Sequence, residues 1–285
     1  MLEKKYAYKI FIVLALLFVN TVIPVYAETI KFGVYTSDKP TTMYKKFKPI
    51  LDYLKKEVNL RGIRADIKIK IYPSYSHAIE ALVKKDCDFV RFGPASYIIV
   101  KQLEKNIRLL AMEHKKNKKR FNGVFIVSNN STITSIKDLT GKTFAFGNKN
   151  STIGRYLSQA ELVKAGINAS GFKHYKYLGR HDKVALAVAA GNYDAGVVKE
   201  NTYKKYAKSK GLKKIGQFPN VTKPWVVRAE FNDKMFNALK DALLTLKDKE
   251  ILKNLKQDGF LPTSDEDYDF VRKGMEKSKE FFKVN

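Results

Sequence analysis

From Thr29 onward, short apolar runs alternate with longer segments in which apolar residues recur every three or four positions. The segment 66–72 alternates isoleucine with lysine, which predicts a strand with one face in water. The segment 40–58 carries Phe47, Ile50 and Leu54 on one helical face. Further strands are predicted at 30–35, 89–92 and 108–112, and further helices at 76–85 and 95–103. Strands separated by helices of this length predict βαβ units and a largely parallel sheet.

A second series of the same kind follows the basic segment 114–120, which we interpret as a solvated loop. The pattern predicts helices that alternate with strands at 123–128, 143–146, 175–178, 193–198 and 213–218. One more strand is predicted at 224–228. Beyond it the pattern is wholly helical, in amphipathic segments at 233–246, 250–256 and 265–282.

Two α/β series and a helical end predict an α/β fold with two lobes, a hinge and a helical C-terminal tail. We expect the tail to pack back on the first lobe, which makes that lobe discontinuous. The expected boundaries are 28–118 plus 229–285 for lobe 1 and 119–228 for lobe 2, with hinge crossings near 115–122 and 222–229. Ligands of open α/β sheets bind outside the carboxyl ends of strands, so we expect the site between the lobes.

Residues 1–27 have the layout of a secretory signal peptide. A basic start at Lys4, Lys5 and Lys9 precedes the unbroken apolar run 10–19, and Ala27 supplies a small residue for cleavage. The run is about ten residues long, whereas a membrane-spanning helix needs roughly 20. We expect cleavage after Ala27 and export to the periplasm. Retention of the leader as an anchor is the alternative.

The formal net charge of +26 favours anionic ligands by long-range attraction. Lysine is spread along almost every segment, and no standard nucleic-acid-binding motif is present, so we expect no nucleic-acid partner. A basic cell-surface protein that binds anionic polymers or lipid headgroups remains an alternative. Cys87 is the only cysteine, which excludes an internal disulfide, and we interpret it as a structural thiol.

Patterns typical of catalysis are absent from the sequence. The four histidines form no metal-ligand spacing, and there is no Walker A motif, no G-x-S-x-G and no G-x-G-x-x-G after a strand. We therefore expect no enzyme activity, no metal and no cofactor.

The clearest candidate chemistry lies at the turn Asn150-Ser151-Thr152, between the strand at 143–146 and a following helix. The first amides of a helix and its dipole favour an anion, and hydroxyls add donors. An ordinary N-cap on a surface helix is the alternative. Tyr44, Tyr97 and His181 occupy similar positions at other helix starts.

Four motifs in register carry a family resemblance over nearly the whole chain beyond the leader. They are Phe92–Tyr97, Ser135–Phe146, Asn150–Thr152 and His181–Gly196. With them the chain resembles the phosphate/phosphite/phosphonate family of ABC-transporter substrate-binding proteins, within the type II periplasmic-binding-protein fold. The resemblance implies a Venus-flytrap protein that captures a small phosphorus oxyanion between two lobes and delivers it to a membrane permease. We expect a monomer. A ligand-sensing protein that docks on a membrane receptor is the alternative within the same fold.

The resemblance also implies a set of ligand-binding residues. The predicted set is Tyr44, Tyr97, Ser151, Thr152, Ile153 and His181, with Asn150, Glu200 and Lys223 as further candidates. Two positions depart from the family pattern. Ile153 replaces a frequent serine or threonine and offers only its backbone N–H, and Lys223 stands where many members have an aspartate. That aspartate would hold an amine or a ligand proton, so its replacement argues against an aminophosphonate unless Glu200 supplies the carboxylate.

Overall fold

Within residues 27–283, which the computed structural model describes, eleven strands form two separate sheets. The predicted leader lies outside this range except for Ala27. In chain order the strands are β1 (Glu28–Tyr35), β2 (Ala65–Tyr72), β3 (Phe89–Arg91), β4 (Arg108–His114), β5 (Arg120–Ser128), β6 (Thr143–Phe146), β7 (His174–Tyr177), β8 (Ala195–Lys199), β9 (Leu212–Val221), β10 (Pro224–Val227) and β11 (Gly259–Leu261).

Helices connect most of these strands. In chain order they are α1 (Pro40–Leu60), α2 (Tyr75–Val83), α3 (Pro94–Leu103), α4 (Leu157–Lys164), α5 (His181–Ala189), α6 (Glu200–Tyr206), α7 (Asp233–Thr245), α8 (Lys249–Leu252) and α9 (Asp269–Lys277). A π-helical turn, Thr152–Tyr156, leads directly into α4. None of the helices in the described part of the chain is long and apolar enough to cross a membrane.

The first sheet has six strands in the order β11-β4-β10-β3-β1-β2, and with its helices we call it lobe 1. Strand β1 runs parallel to β2 and β3, as the alternating pattern predicted. Helices α1 and α7 cover one face of this sheet, where Phe32 stacks on Trp225 with ring centroids 4.8 Å apart. Helices α2 and α3 cover the other face.

The second sheet has five strands in the order β7-β6-β8-β5-β9, and with its helices we call it lobe 2. Strand β6 is parallel to β7 and β8, whereas β5 is antiparallel to β8 and β9. Aromatic side chains fill its larger core, including Phe125, Phe144 and Phe146. The predicted two-lobed α/β fold with a helical C-terminal end is confirmed.

Two strands differ from the sequence predictions. Strand β10 pairs antiparallel with β3 and β4 in lobe 1, although the predicted boundary gave residues 224–228 to lobe 2. The tail is not wholly helical, because β11 pairs with β4. In β11, the buried Phe260 ring meets Trp225 edge-on at 5.3 Å between centroids, so packing in lobe 1 favours this three-residue strand.

The tail also packs on both lobes rather than on lobe 1 alone. On the lobe 1 side, Tyr268 packs on Tyr97 of α3 at 4.7 Å between ring centroids. On the lobe 2 side, the buried Phe281 ring lies 5.6 Å from Phe146. A side chain at Gly274 would collide with Leu157, so glycine permits the close approach of α9 to α4. The tail therefore connects the lobes at a distance from the two strand crossings.

Candidate functional site

A cavity of about 30 Å³ lies between the two lobes, and we call it the inner cavity. Lobe 1 lines it with the ends of β1 and β3 and the start of α2, and lobe 2 lines it with the turn before α4 and the start of α5. The residues at the end of β9 and just after it close the remaining side. The inner cavity therefore lies outside the carboxyl ends of strands, where ligands of open α/β sheets bind.

The turn at Ser151 and Thr152 presents hydrogen-bond donors to the inner cavity. Ser151 Oγ accepts the Gly154 N–H at 2.9 Å, and Thr152 Oγ1 accepts the Ala95 N–H of lobe 1 at 2.8 Å. Each hydroxyl therefore keeps its own O–H for another acceptor. The backbone N–H groups of Thr152 and Ile153 have no partner among the described residues, as expected at a helix start.

Two glycines hold this turn against the end of β6. A Cβ built on Gly154 would lie 2.8 Å from the Gly147 Cα, closer than real Cβ atoms approach. Gly147 N–H donates to the Gly154 carbonyl at 2.9 Å. The backbone contact fixes the direction in which the first helical amides point.

Arg91 supplies a buried cation to the inner cavity. Its guanidinium donates to both Glu113 carboxylate oxygens, Nε to Oε1 at 2.7 Å and Nη2 to Oε2 at 2.9 Å. Trp225 Nε1 adds a third bond to Glu113 Oε1 at 3.3 Å. Burial opposes ionisation of Glu113, yet the attraction of Arg91 outweighs it and holds the Glu113 pKa below its usual range. The pair therefore stays charged, with Arg91 facing the cavity.

Tyr35 and Tyr75 contribute neutral hydroxyls. Their rings stack with centroids 3.7 Å apart, and Tyr35 Oη accepts the Gly93 N–H at 2.6 Å. Burial raises the pKa of Tyr35 and raises that of Tyr75 further. Both side chains are therefore hydrogen-bond donors at neutral pH.

Lys199 and Lys223 bring two more basic side chains to the inner cavity. Lys199 Nζ of lobe 2 pairs with Asp38 Oδ2 of lobe 1 at 2.7 Å, across the cleft. Lys223 Nζ lies 4.2 Å from the centre of the Phe121 ring. Burial and the nearby Arg91 charge lower the Lys223 pKa well below its ordinary value. Among the described residues, no aspartate or glutamate lines the inner cavity.

Two buried polar atoms around the inner cavity lack hydrogen-bond partners among residues 27–283. They are His181 Nδ1 and Asn220 Oδ1, on side chains that are 5% and 1% exposed. Buried polar atoms without partners are uncommon and require a reason, such as a bound polar molecule. Their presence beside a small basic cavity indicates a site for a small polar ligand.

The structure brings five of the predicted residues together at the inner cavity. They are Ser151, Thr152, Ile153, His181 and Lys223. Asn150 lies beside it, where its carbonyl accepts from Ser96 Oγ at 3.5 Å. Glu200 faces a neighbouring cavity and accepts the Asn122 N–H at 3.4 Å.

Tyr44 and Tyr97 lie away from the inner cavity. Tyr44 is on the exposed side of α1, with 44% of its surface accessible. Tyr97 Oη donates to Asp265 Oδ1 of the tail at 2.5 Å. Its position one turn into α3 directs its ring toward the tail, because only the first residues of that helix meet the cleft.

The sequence interpretation missed Tyr35, Tyr75, Arg91, Lys199 and Asn220. One signal was available for Arg91, which interrupts the apolar run 89–92 and has to be paired if that segment is buried. Tyr35 and Lys199 are the last residues of β1 and β8, where side chains converge on the cleft.

A comparison with known families identifies the family of this chain. The model of the family described as ABC transporter, phosphonate, periplasmic substrate-binding protein matches residues 32–268. The chain belongs to this family of periplasmic substrate-binding proteins. The family predicted from the four motifs is therefore confirmed, and with it the prediction of a binding protein rather than an enzyme.

Individual relatives of this substrate-binding protein agree with the family match. A protein described as a probable ABC transporter phosphite binding protein, PhnD1 of Prochlorococcus marinus, is 28% identical over 64% of this chain, and the chain spans 62% of that relative's length. The phosphate-import protein PhnD of Mycolicibacterium smegmatis is 23% identical over 87% of this chain and 85% of that protein.

Solved structures of related proteins show the same fold. PhnD1 of P. marinus in complex with methylphosphonate superposes with a TM-score of 0.80 at 24% identity, over 89% of this chain and 99% of that one. A binding-protein component of an ABC phosphonate transporter from Pseudomonas aeruginosa also gives 0.80, at 19% identity, over 90% of this chain and 88% of that one.

Within the described residues of the present protein, no group of three or more His, Cys, Asp or Glu side chains is arranged to hold a metal ion.

The buried imidazole of His181 is expected to make the stability of this substrate-binding protein depend on pH. Burial lowers the His181 pKa from 6.5 to about 3, the Lys199 and Lys223 charges act in the same direction, and Asp38 opposes them. Below pH 6.5 the unfolded chain takes up a proton that the folded chain refuses. We therefore expect His181 to reduce the free energy of unfolding of the unliganded protein as the pH is lowered from 6 to 4. The expected reduction is about 1.4 kcal/mol for each pH unit.

Urea unfolding at several pH values tests this expectation in the parent and in His181→Gln. The variant is expected to lose the His181 component of the slope. The exposed His174, replaced by glutamine, is the matched control and is expected to keep the parent slope. Equal slopes in the parent and His181→Gln would contradict a buried neutral imidazole.

Proposed function

We propose that this protein binds a small phosphorus oxyanion (phosphite, a phosphonate or phosphate) in the inner cavity and delivers it to an ABC permease in the membrane. The observation that carries the proposal is the set of polar atoms without partners among residues 27–283, together with basic side chains, around a cavity of about 30 Å³. A cavity of this size suits a group as small as a tetrahedral ion. The names of the relatives, which refer to phosphite, phosphate and methylphosphonate, support the same class.

In the proposed complex the start of the π-helical turn binds the anion. The free N–H groups of Thr152 and Ile153 and the hydroxyls of Ser151 and Thr152 donate to its oxygens, and the helix dipole favours its charge. Arg91 forms the opposite wall as a cation fixed by Glu113. A guanidinium gives stronger hydrogen bonds to an anion than neutral donors do.

His181 completes the proposed shell from lobe 2. Its Nδ1 atom has no partner in the described part of the chain, so it is available to a ligand oxygen or hydroxyl. Asn220 Oδ1 is the other free atom and accepts a ligand proton if the anion carries one. Among residues 27–283 no carboxylate lines the cavity to receive an amine, and the charged Arg91 guanidinium repels one, so the proposed ligands exclude aminophosphonates.

Ligand capture is proposed to stabilise a closed arrangement of the lobes, a hinge-type motion. Among the described residues, three contacts cross the cleft beside the inner cavity: Ala95 N–H to Thr152, Ser96 Oγ to the Asn150 carbonyl, and Lys199 to Asp38. The proposed hinge segments remain the crossings near 115–122 and 222–229. Because β10 pairs in the sheet of lobe 1, the proposed lobes become 28–118 plus 224–285 for lobe 1 and 119–223 for lobe 2, in place of the predicted 28–118 plus 229–285 and 119–228. The proposal further includes a monomer in the periplasm, with the leader removed after Ala27.

Isothermal titration calorimetry of the purified protein tests the proposed function. The ligands are phosphite, methylphosphonate and phosphate, with 2-aminoethylphosphonate and chloride as controls. Binding of at least one of the first three in the micromolar range or tighter is expected, together with a weaker response to the aminophosphonate. No heat from any of the three phosphorus oxyanions would overturn the proposal.

A further inference from the structure

A second and larger cavity, of about 620 Å³, adjoins the inner cavity, and we call it the outer chamber. Its walls are the segment 115–122, the start of α6, the residues 219–223 and Gln257. Phe121, Lys199 and Lys223 line both spaces. A ligand in the inner cavity therefore has the outer chamber directly beyond this shared wall.

The outer chamber is strongly basic. Seven of its lining side chains are lysine or arginine and one is a carboxylate, Glu200, which already pairs with Lys204. In the part of the chain that the structure describes, Lys115, Lys116, Lys118 and Arg120 form no ion pair with an aspartate or glutamate. Concave surfaces of one charge sign focus their field on the enclosed space. The chamber thus favours a negatively charged occupant.

A buried hydroxyl provides independent evidence of an occupant. Thr222 lines the outer chamber and is only 2% exposed, yet its Oγ1 has no hydrogen-bond partner among residues 27–283. A threonine in such a position normally bonds to the backbone or to water. Its free O–H is suited to donate to an anionic oxygen in the chamber.

The shared wall combines an aromatic ring, that of Phe121, with basic side chains. Phe121 and Lys223 are in contact, with the ammonium 4.2 Å from the ring centre. The aromatic face can lie against the short carbon chain of a phosphonate, while the basic side chains beyond it face whatever the chain carries at its far end. An amine there would be repelled by the basic side chains, and Glu200, the one lining carboxylate among the described residues, already pairs with Lys204, whereas a carboxylate would find several partners.

We propose that the outer chamber binds a second anionic group of the same ligand. The ligand class is then a phosphonate or phosphate ester whose short carbon chain ends in a carboxylate or a second phosphoryl group. This inference rests on the proposed function, since it takes the inner cavity to hold the first phosphorus oxyanion.

Calorimetry with matched phosphonates at low and moderate salt tests the inference. Phosphonoacetate carries a second anionic group, its carboxylate, propylphosphonate has a neutral chain of similar length, and methylphosphonate fills the inner cavity alone. We expect phosphonoacetate to bind about tenfold more tightly than propylphosphonate at low salt, and the preference to shrink as salt screens it. The variant Lys118→Gln with Arg120→Gln is expected to reduce this preference to about threefold or less.

The control variant, Lys176→Gln with Lys234→Gln, removes the same net charge from exposed positions that line neither cavity and is expected to keep the preference. Equal affinities for phosphonoacetate and propylphosphonate in the parent, alongside normal methylphosphonate binding, would overturn the second site and leave the proposed function intact. An equal preference in the parent and the chamber variant would overturn it as well. Absence of binding by every phosphonate and by phosphite would overturn both proposals.

Discussion

Replacing both Ser151 and Thr152 by alanine is expected to weaken phosphite or phosphonate binding by roughly a hundredfold or more. Each hydroxyl accepts a backbone N–H and keeps its own O–H for the ligand. A hydrogen bond to a charged group contributes about 1.5–3 kcal/mol. The Thr152 change also removes the contact with Ala95 across the cleft, so the closed arrangement loses stability in the same step. Titration calorimetry of the variant measures the combined effect.

A control is needed because Ser151 also caps the helix, and losing such a cap costs about 1 kcal/mol of stability. Thermal unfolding followed by circular dichroism shows whether the variant is folded at the titration temperature. The variant Ser209→Ala with Thr245→Ala removes two exposed hydroxyls that bond to helix carbonyls away from both cavities. It is expected to bind like the parent. A folded Ser151/Thr152 variant with parent affinity would place the anion elsewhere.

Replacing Arg91 by methionine is expected to destabilise the fold by about 3–5 kcal/mol. The Glu113 side chain is 0% exposed, and without Arg91 its charge has no cationic partner at bonding distance among residues 27–283. The Trp225 N–H and a Gln257 amide contact at 3.4 Å remain and cannot neutralise it. The loss of stability relative to the parent is expected to be smaller at low pH, because protonation of Glu113 removes the buried charge. Urea unfolding at pH 7 and pH 4 measures both effects.

The double variant Arg91→Met with Glu113→Gln separates the structural role of the pair from the binding role of Arg91. Removing both charges is expected to recover most of the stability, since the amide oxygen still accepts from Trp225. Anion affinity is expected to stay low, because the cation that faces the inner cavity is gone. Single and double variants of equal stability would show that Glu113 is not held ionised by Arg91.

The sequence predicted most of the lobe architecture because its helices and strands have strong periodicity. The alternation at 66–72 corresponds to β2, which pairs in parallel with β1 over its full length. Periodicity could not predict that β10 pairs in lobe 1 or that β11 exists. Both strands are only three or four residues long, and the partners that stabilise them, β3 and β4, lie more than a hundred residues earlier in the chain.

Residues of the candidate site could be predicted where a local motif faces the cleft. They could not be predicted where tertiary packing determines the direction of the side chain. Ser151, Thr152 and His181 are at helix starts that point into the inner cavity. Tyr97 is also near a helix start, but the tail supplies Asp265 and Tyr268 as its partners. The direction of a side chain one turn into a helix depends on what packs against it. For Tyr97 that partner, Asp265, is 168 residues away, so the local sequence does not predict the contact.

The most direct test of the central claim is a crystal structure of the protein with methylphosphonate. The account predicts the phosphonate group in the inner cavity, with its oxygens within hydrogen-bonding distance of the Thr152 and Ile153 amides and the Arg91 guanidinium. The His181 ring is expected to contact the same group from lobe 2. A ligand bound outside this cavity, or one that contacts the anion through neither the helix start nor Arg91, would contradict the account.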